Sequence, residues 1–413
     1  MEGWETYFSR ETAVSLEYAN EAIKVKESGT LSGYGIRALA KGRLGFSYCV
    51  AEKELEQTKQ RAVELAKLSP KPKTAFSFAP KTAYPKVRTY SAKTAALDER
   101  DLKEALDSIE EGLSRYTKKS RIMVTAETGE QEIRNSEGLA AASRESSFTA
   151  YCEAMNGDGF GFAYATDTDP LRNAVEFGKK AGRMSELMKK AKKPKSGKRV
   201  VVFAPEAIHS LLDILLPSLS GDWKRRGMSA LTGKLGKQVL GKNFTLLDDP
   251  LADAAGATPF DAEGVASNTM PLFEKGVLKN FFYNREIAAL EGSKLRGGFC
   301  ARNGFSLKPS VAPSNLVIKA GTYRSFEEEL GDYLLVRSVH GIHTANTTTG
   351  DFSIEANIAF AMKNGEATGM RGFLLAGNIF NVFNSIIGLE KRTETYDNLI
   401  SPAIACEGVQ AIG

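Results

Sequence analysis

Through its first half the chain alternates apolar and polar residues with the two-residue period of strands that bury one face, then shifts to helical spacing. "AVSLEYANEAIKVKES" and "SGYGIRALAKGRLGFSYC" lead into "EKELEQTKQRAVELAKL", where Leu55, Ala62, Val63 and Ala66 recur at helical intervals. The pattern then comes round again. After the helix-like "LDERDLKEALDSIEEGLSRY", the strand-like run "RIMVTAETGEQEIRNSEGLAAASRESSFTAYCEAMNGDGFGFAYATD" leads into a helix expected from about Leu171 to Lys190. "GRLGFSYC" before the first helix is echoed by "GDGFGFAYAT" before the later one. A strand-strand-strand-helix unit is therefore expected twice, as a duplication inside an α+β N-terminal domain. The glycines of "GYGIRA" and "GDGFGF" fall within these strand patterns, so bulges or hairpin turns are expected there, not a dinucleotide site.

From Arg199 onward the texture changes to short strand-like runs punctuated by Gly, Asn and Asp: "NFTLLDDP", "GVLKNFFYN", "YLLVRSV", "FSIEANIAFAMKNGE" and "RGFLLAGN". Turn signals such as "KNGE" fit hairpins. A helix is expected from Pro205 to about Pro217, with one proline opening it and the other breaking it. The fold class is thus α+β, with a sheet-rich C-terminal domain carrying a few short helices. The expected organisation is a first repeat over residues 1–68, a Pro/Lys-rich linker over 69–97, a second repeat over 98–190, a basic linker over 191–198 and the C-terminal domain over 199–413.

Composition narrows the function classes. The chain has 413 residues, 42% hydrophobic and 25% charged, and no apolar window approaches the ~20 residues of a bilayer-spanning helix. No membrane association is expected. The N-terminus "MEGWETYFSR" lacks a basic and then apolar leader, which makes the cytoplasm the expected compartment. The net charge of +5 resides largely in "SPKPKTAFSFAPKTAYPK" and "MKKAKKPKSGKR", both expected as solvated, extended connectors. Nucleic acid is not expected as a partner, because no basic face with aromatic or arginine readout accompanies these lysines. Cys49, Cys152, Cys300 and Cys406 stand singly among apolar neighbours and are expected to be reduced and mostly buried.

No HExxH, GxSxG or GxxxxGK[ST] motif occurs. His340 and His343 form the close histidine pair, and Asp351 or Glu355 could supply a third ligand. The Thr, Asn and Gly residues around them favour a hydrogen-bonded connection instead. Asp248, Asp249, Asp253, Asp261 and Glu263 crowd a turn-rich stretch, where carboxylates cap backbone N–H groups; their spacing fits no calcium loop.

"FDAEG", "LFEKGVLKNFFYNREIAA", "CARNG", "PSNLVIKAG", "GIHTANTTTGDFSIEANIAFAMKNGE" and "RGFLLAGNIF" resemble, in order and spacing, the C-terminal domain of the TldD/PmbA family, also described as modulators of DNA gyrase. "GYGIRALAKGRLGFSYC" is similar to that family's first domain. The resemblance implies one of two kinds of subunit. The TldD kind holds zinc on HExxxH with a further cysteine near the C-terminus. The PmbA kind, also called TldE, lacks the site and pairs with TldD in a peptidase assembly. Aligning "VVFAPEAIHSLLDILLPSLSGD" with the zinc helix puts Asp213 and Ser218 at the histidine positions and Ile214 at the glutamate, with His209 one turn earlier. Serine is a poor zinc ligand and isoleucine moves no proton. "LISPAIACEG" also departs from the Cys-Gly ligand segment, leaving Cys406 as core.

The expectation is therefore a non-catalytic PmbA/TldE-like subunit with no cofactor of its own. Its implied partners are a TldD-like zinc-bearing subunit and an unfolded peptide. The peptide is expected at a sheet edge around Asp351 to Phe360, with His340, His343, Asn346, Asp351, Phe352 and Ser353 lining the groove. Two alternatives stay open: a hydrolase in its own right built on His340, His343 and nearby carboxylates, and a homodimeric binding or regulatory protein.

Overall fold

The computed structural model describes residues 1–19, 22–293 and 298–413. Strands β1 (Gly3–Ala19), β2 (Ala22–Ala40) and β3 (Arg43–Cys49) form an antiparallel meander followed by α1 (Leu55–Ala66). Helix α2 (Glu99–Ser114) precedes the second meander, β4 (Lys119–Asn135), β5 (Ala140–Asn156) and β6 (Gly159–Asp167), which ends in α3 (Ala174–Met188). The duplicated strand-strand-strand-helix unit is present, and β1 pairs with β4, so both copies share one six-stranded sheet in the order β3-β2-β1-β4-β5-β6.

The echoed glycines explain how each helix sits on its strands. A Cβ on Gly45 would lie 1.8 Å from the Ala62 carbonyl oxygen of α1, and one on Gly161 would lie 2.2 Å from that of Ala181 in α3. Each unit thus keeps a bare strand position under its helix. Gly157, at φ +58°, turns β5 into β6, as expected of a hairpin glycine. Gly33 and Gly35 correct the expectation of bulges, because the β2 register with β1 runs through both without a shift. A Cβ on Gly33 would meet the Phe305 ring at 2.5 Å, so the C-terminal domain fills the space they leave. Helix α3 is shorter than its pattern at both ends; Asn173 caps it by accepting from the Glu176 N–H.

The C-terminal half contains β7 (Gly197–Phe203), α4 (Pro205–Leu219), β8 (Tyr333–His340), β9 (Asp351–Lys363), β10 (Glu366–Met370), β11 (Leu374–Asn378), β12 (Ile386–Tyr396) and β13 (Leu399–Ile412). Pairing closes on itself: β7 to β8, β8 to β9, β9 to β11, β11 to β13, and β13 back to β7. Only β7–β8 is parallel in this ring. Asn364 and Gly365, both in the left-handed region, turn β9 into β10, the geometry an Asn-Gly hairpin demands. Leu211, Leu212, Ile214, Leu215 and Leu219 of α4 are all buried, and the helix packs against β8, β12 and β13. Pro217 does not break α4, which continues to Leu219. Its missing N–H removes the bond to the Asp213 carbonyl, on a side of the helix that water reaches.

Two expectations are corrected here. The stretch Asp351 to Phe360 is not a sheet edge: Glu355 to Phe360 lie paired with β8, Asp351 to Glu355 pair with β11, and Ala359 and Phe360 pair with β10. Closing the ring consumed that edge. Nor is the first basic run a solvated connector. Phe76, Phe78 and Ala79 are buried, Asn135 Nδ2 donates to the Ala79 carbonyl at 2.8 Å, and Tyr84 Oη donates to that of Gly264 at 3.0 Å. Exposed lysines set the composition of this strap, but two phenylalanines fix its path. The second run also docks, with the Lys192 N–H donating to the Gly369 carbonyl of β10 at 2.9 Å.

Candidate functional site on the buried helix

Helix α4 sends its three candidate positions in different directions. Five residues of α-helix turn through ~500°, so side chains at 213 and 218 point ~140° apart. Asp213 opens into a cavity of about 620 Å³ that it shares with His209, Cys300, Ser314, Asp397 and Asn398. It is exposed at the mouth of that cavity, where partial desolvation pushes its carboxyl upward from the usual aspartate value while His209 opposes this. Ile214 has no accessible surface and belongs to the main apolar core. Ser218 is equally buried, its hydroxyl 3.5 Å from the Thr347 carbonyl it donates to. Cys406 lies buried in β13, where burial pushes its thiol up to about 12. All four cysteines are buried and free, as expected.

The other candidate residues serve a connection. Asn346 Oδ1 accepts from the backbone N–H groups of Thr348 and Thr349, and Asp351 accepts from Thr349 Oγ1 at 2.7 Å and from Asn378 Nδ2 at 2.9 Å. These bonds hold the Asp351 carboxyl below its ordinary range, Asn378 contributing most. His340 and His343 are exposed, Ser353 is exposed and Phe352 is buried. The structure does not bring His340, His343 and Asp351 into a metal-spaced cluster. Among the described residues that spacing occurs at Asp261, Glu263 and Cys300, all buried. Their oxygens are already occupied. Asp261 accepts from the N–H groups of Glu263, Val265 and Gly298, while Glu263 accepts from Arg37 and the Arg285 N–H. Burial, then Glu263 and Asp261, drive the Cys300 thiol well above its usual value. Every carboxylate oxygen of the pair already accepts a hydrogen bond, so the group serves its turn and the ionic junction.

The acidic stretch splits between two duties. Asp249 and Asp261 bond turn N–H groups, as expected. Asp248 instead holds Ser314, Asp253 pairs with Arg88 of the strap, and Glu263 joins an ionic junction between the two halves of the chain. In that junction Arg37 of β2 donates to Glu5 of β1 at 2.7 and 3.0 Å and also to Glu263, while Arg302 binds Glu5 as well. Arg37, Glu5, Glu263 and Arg302 have at most 1% of their side-chain surface exposed. Burial opposes the Arg37 charge, but Glu5 and Glu263 outweigh it and hold the guanidinium well above its ordinary value. Single residues spread along the chain gave no motif for this junction.

A cavity of about 910 Å³ lies between the halves. Phe177, Met184, Leu187, Leu335, Phe360 and Met362 give it apolar walls. Strand β6, which among the described residues pairs with β5 alone, and the end of β12 border it.

Residues 196–413 match the model of the PmbA/TldA metallopeptidase C-terminal domain, residues 4–66 its domain 1 and residues 88–189 its central domain. The chain belongs to the PmbA/TldD family. An uncharacterized protein of Methanocaldococcus jannaschii is 30% identical, the match covering 98% of this chain and 96% of that one. A metalloprotease of Methanothermobacter thermautotrophicus is 26% identical over 88% of this chain and 82% of its own length. The solved structure of TldE from Thermococcus kodakarensis superposes with a TM-score of 0.88 at 23% identity, covering 100% of this chain and 97% of that one. That likeness carries the fold.

Metalloprotease relatives imply a metal in the PmbA/TldD family, and the resemblance implies that zinc-bearing members hold it at the positions of Asp213 and Ser218, with the base at that of Ile214. The residues there do not fit the ion. Ser218 is spent on Thr347, Ile214 offers no base, and Asp213 faces away from both. Among the described residues, no helix is long and apolar enough to cross a membrane.

Proposed function

We propose that this chain is a PmbA/TldE-like, non-catalytic subunit of a peptidase assembly, pairing with a TldD-like zinc-bearing subunit and helping to hold an unfolded peptide. One observation carries the reading: the positions that would seat zinc and activate water present a carboxylate in one direction and buried isoleucine and serine in others. With the edge at Asp351 to Phe360 consumed by pairing, support for peptide holding moves to the apolar cavity bordered by β6. An extended chain there has open backbone groups to pair with and apolar walls for its side chains. A cytoplasmic location accompanies this reading.

Co-purification with a TldD-like protein from the same source tests it. The expected result is a stable complex that cleaves an unstructured peptide, with no cleavage by this chain alone. Cleavage by the isolated chain, or failure of the two proteins to associate, overturns the proposal.

A further inference from the structure

Strand β6 and helix α3 run antiparallel, in a register that two glycines reveal. A Cβ on Gly159 would lie 2.1 Å from the Ser185 carbonyl oxygen, and one on Gly161 would lie 2.2 Å from that of Ala181. Two residues of strand, ~6.6 Å, thus advance beside four residues of helix, ~6 Å. A peptide strand laid along the second edge of β6 keeps that spacing. Its same-face side chains, two positions apart, then meet helix positions four apart.

Phe177, Lys180, Met184 and Leu187 form one stripe of α3 on the wall of the 910 Å³ cavity. Lys180 and Met184 are the positions four apart, one charged and one apolar. The facing wall combines the same two characters, with Arg337 of β8 beside Leu335 and the apolar Phe360 and Met362 of β9. Arg337 sits at a bulge, since Val336 faces Ala359 and Ser338 faces Ile358, and a bulge re-aims the side chain it carries. The two cations converge on one acid. Arg337 Nη2 donates to Glu206 Oε1, and Lys180 Nζ lies 3.6 Å from the same oxygen. Burial opposes the Glu206 charge, but Arg337 and Lys180 outweigh it and hold the carboxyl below its ordinary range. One positive charge of this trio is left over, and Lys180, 48% exposed, is its open end. Arg183 is answered separately by Glu176 at 2.8 Å. Beyond the start of α3 the sign reverses, where Asp167, Asp169 and Asp253 gather on Arg88.

We propose that the cavity selects an extended peptide segment carrying a large apolar residue and, two positions away, an aspartate or glutamate. The apolar side chain packs among Met184, Leu187 and Met362, whose walls adapt to more than one shape because thioethers are flexible. The carboxylate lies against Lys180 and Arg337. This inference rests on the peptide-holding reading above and adds which side chains are held.

The test uses the full chain and a fluorescein-labelled, amidated peptide of ~10 residues, read by anisotropy. The peptide is serine and threonine apart from one leucine and, two positions on, one glutamate. It should bind about fivefold more tightly than its glutamine counterpart, and a lysine counterpart should bind more weakly still. Moving the glutamate next to the leucine turns it to the opposite face, so the advantage should vanish. Lys180→Gln should also remove it, with an unchanged melting curve because the side chain is half exposed. Equal affinity for the glutamate, glutamine and lysine peptides overturns the proposal and leaves peptide holding intact. A free-acid peptide lacking the glutamate that binds as tightly assigns the carboxylate to a chain end and overturns the spacing. Saturable binding of none of these peptides up to about 1 mM overturns both readings.

Discussion

At position 214 the interior holds an isoleucine with no accessible surface, while the junction between the halves buries Arg37, Glu5, Glu263 and Arg302 almost as deeply. The same chain excludes charge from one site and concentrates it at another. The difference lies in partners. Arg37 meets two carboxylates through three donors, whereas α4 is ringed by leucines, and a polar group there would lack a counterpart. A buried position tolerates charge when the rest of the fold answers it, wherever in the sequence that answer lies.

The sharpest way to break this contrast is to remove one answer. Arg37→Met leaves Glu5 and Glu263 in the interior, with only Arg302 still bound to Glu5. A loss of about 3–5 kcal/mol is expected, read as a lower midpoint in guanidinium unfolding. A loss below about 1 kcal/mol would place the junction's contribution in packing alone.

A carboxyl buried without a cation falls between the two cases. Asp248 is bonded by the Ser314 N–H and hydroxyl, yet burial lifts it to about 7 despite those bonds. Near pH 4 and below, folded and unfolded chains both hold the proton. Between roughly pH 4 and 7 only the folded chain does, so stability is fully present below the unfolded value and declines as pH rises through the folded one. The gap corresponds to about 4 kcal/mol at most. Asp261, raised by burial and by Glu263, acts in the same direction. Asp248→Asn should flatten the decline in unfolding midpoint between pH 4.5 and 7.5 by about half; an unchanged slope would exclude Asp248 as its source.

Restoring charge to the helix sharpens the comparison from the other side. Ile214→Glu installs the glutamate of the zinc-bearing subunits, but inside leucine packing. A cost of roughly 3 kcal/mol is expected, with no peptide cleavage gained. Activity appearing in that variant would show that the position reaches a site after all.

What was legible in the sequence followed local rules. "GRLGFSYC" and "GDGFGFAYAT" revealed the duplication because one physical need, a bare Cβ position under a helix at Gly45 and Gly161, was written twice. Residues Asp213, Ile214 and Ser218 could be weighed together from the sequence because one helix carries all three. Closure of the β7–β8–β9–β11–β13 ring was not readable, since no local pattern in β7 announces that β13 returns to it. Hence Asp351 to Phe360 reads locally as an edge although both its sides are paired. The junction was missed for a similar reason: Glu5 and Arg302 are 297 positions apart. At the strap, lysine and proline dominated a reading that Phe76 and Phe78 should have decided.

The strap also supplies the weakest member of the comparison. Arg88 reaches Asp167, Asp169 and Asp253 at 3.1, 3.3 and 2.9 Å, which resembles the Arg37 arrangement in outline. Here the side chains are 41% exposed for Arg88 and 62%, 34% and 69% for its partners. Water answers each of these charges nearly as well as its partner does, and salt screens what remains. Arg88→Ala should therefore cost no more than about 1 kcal/mol, and most of that difference should vanish in about 0.5 M salt. Hydrogen exchange across residues 69–91 checks the local consequence: protection should fall near Thr89 and Ser91 and persist near Phe78, which the core holds. Loss of protection along the whole strap would mean that Arg88, not the two phenylalanines, anchors it.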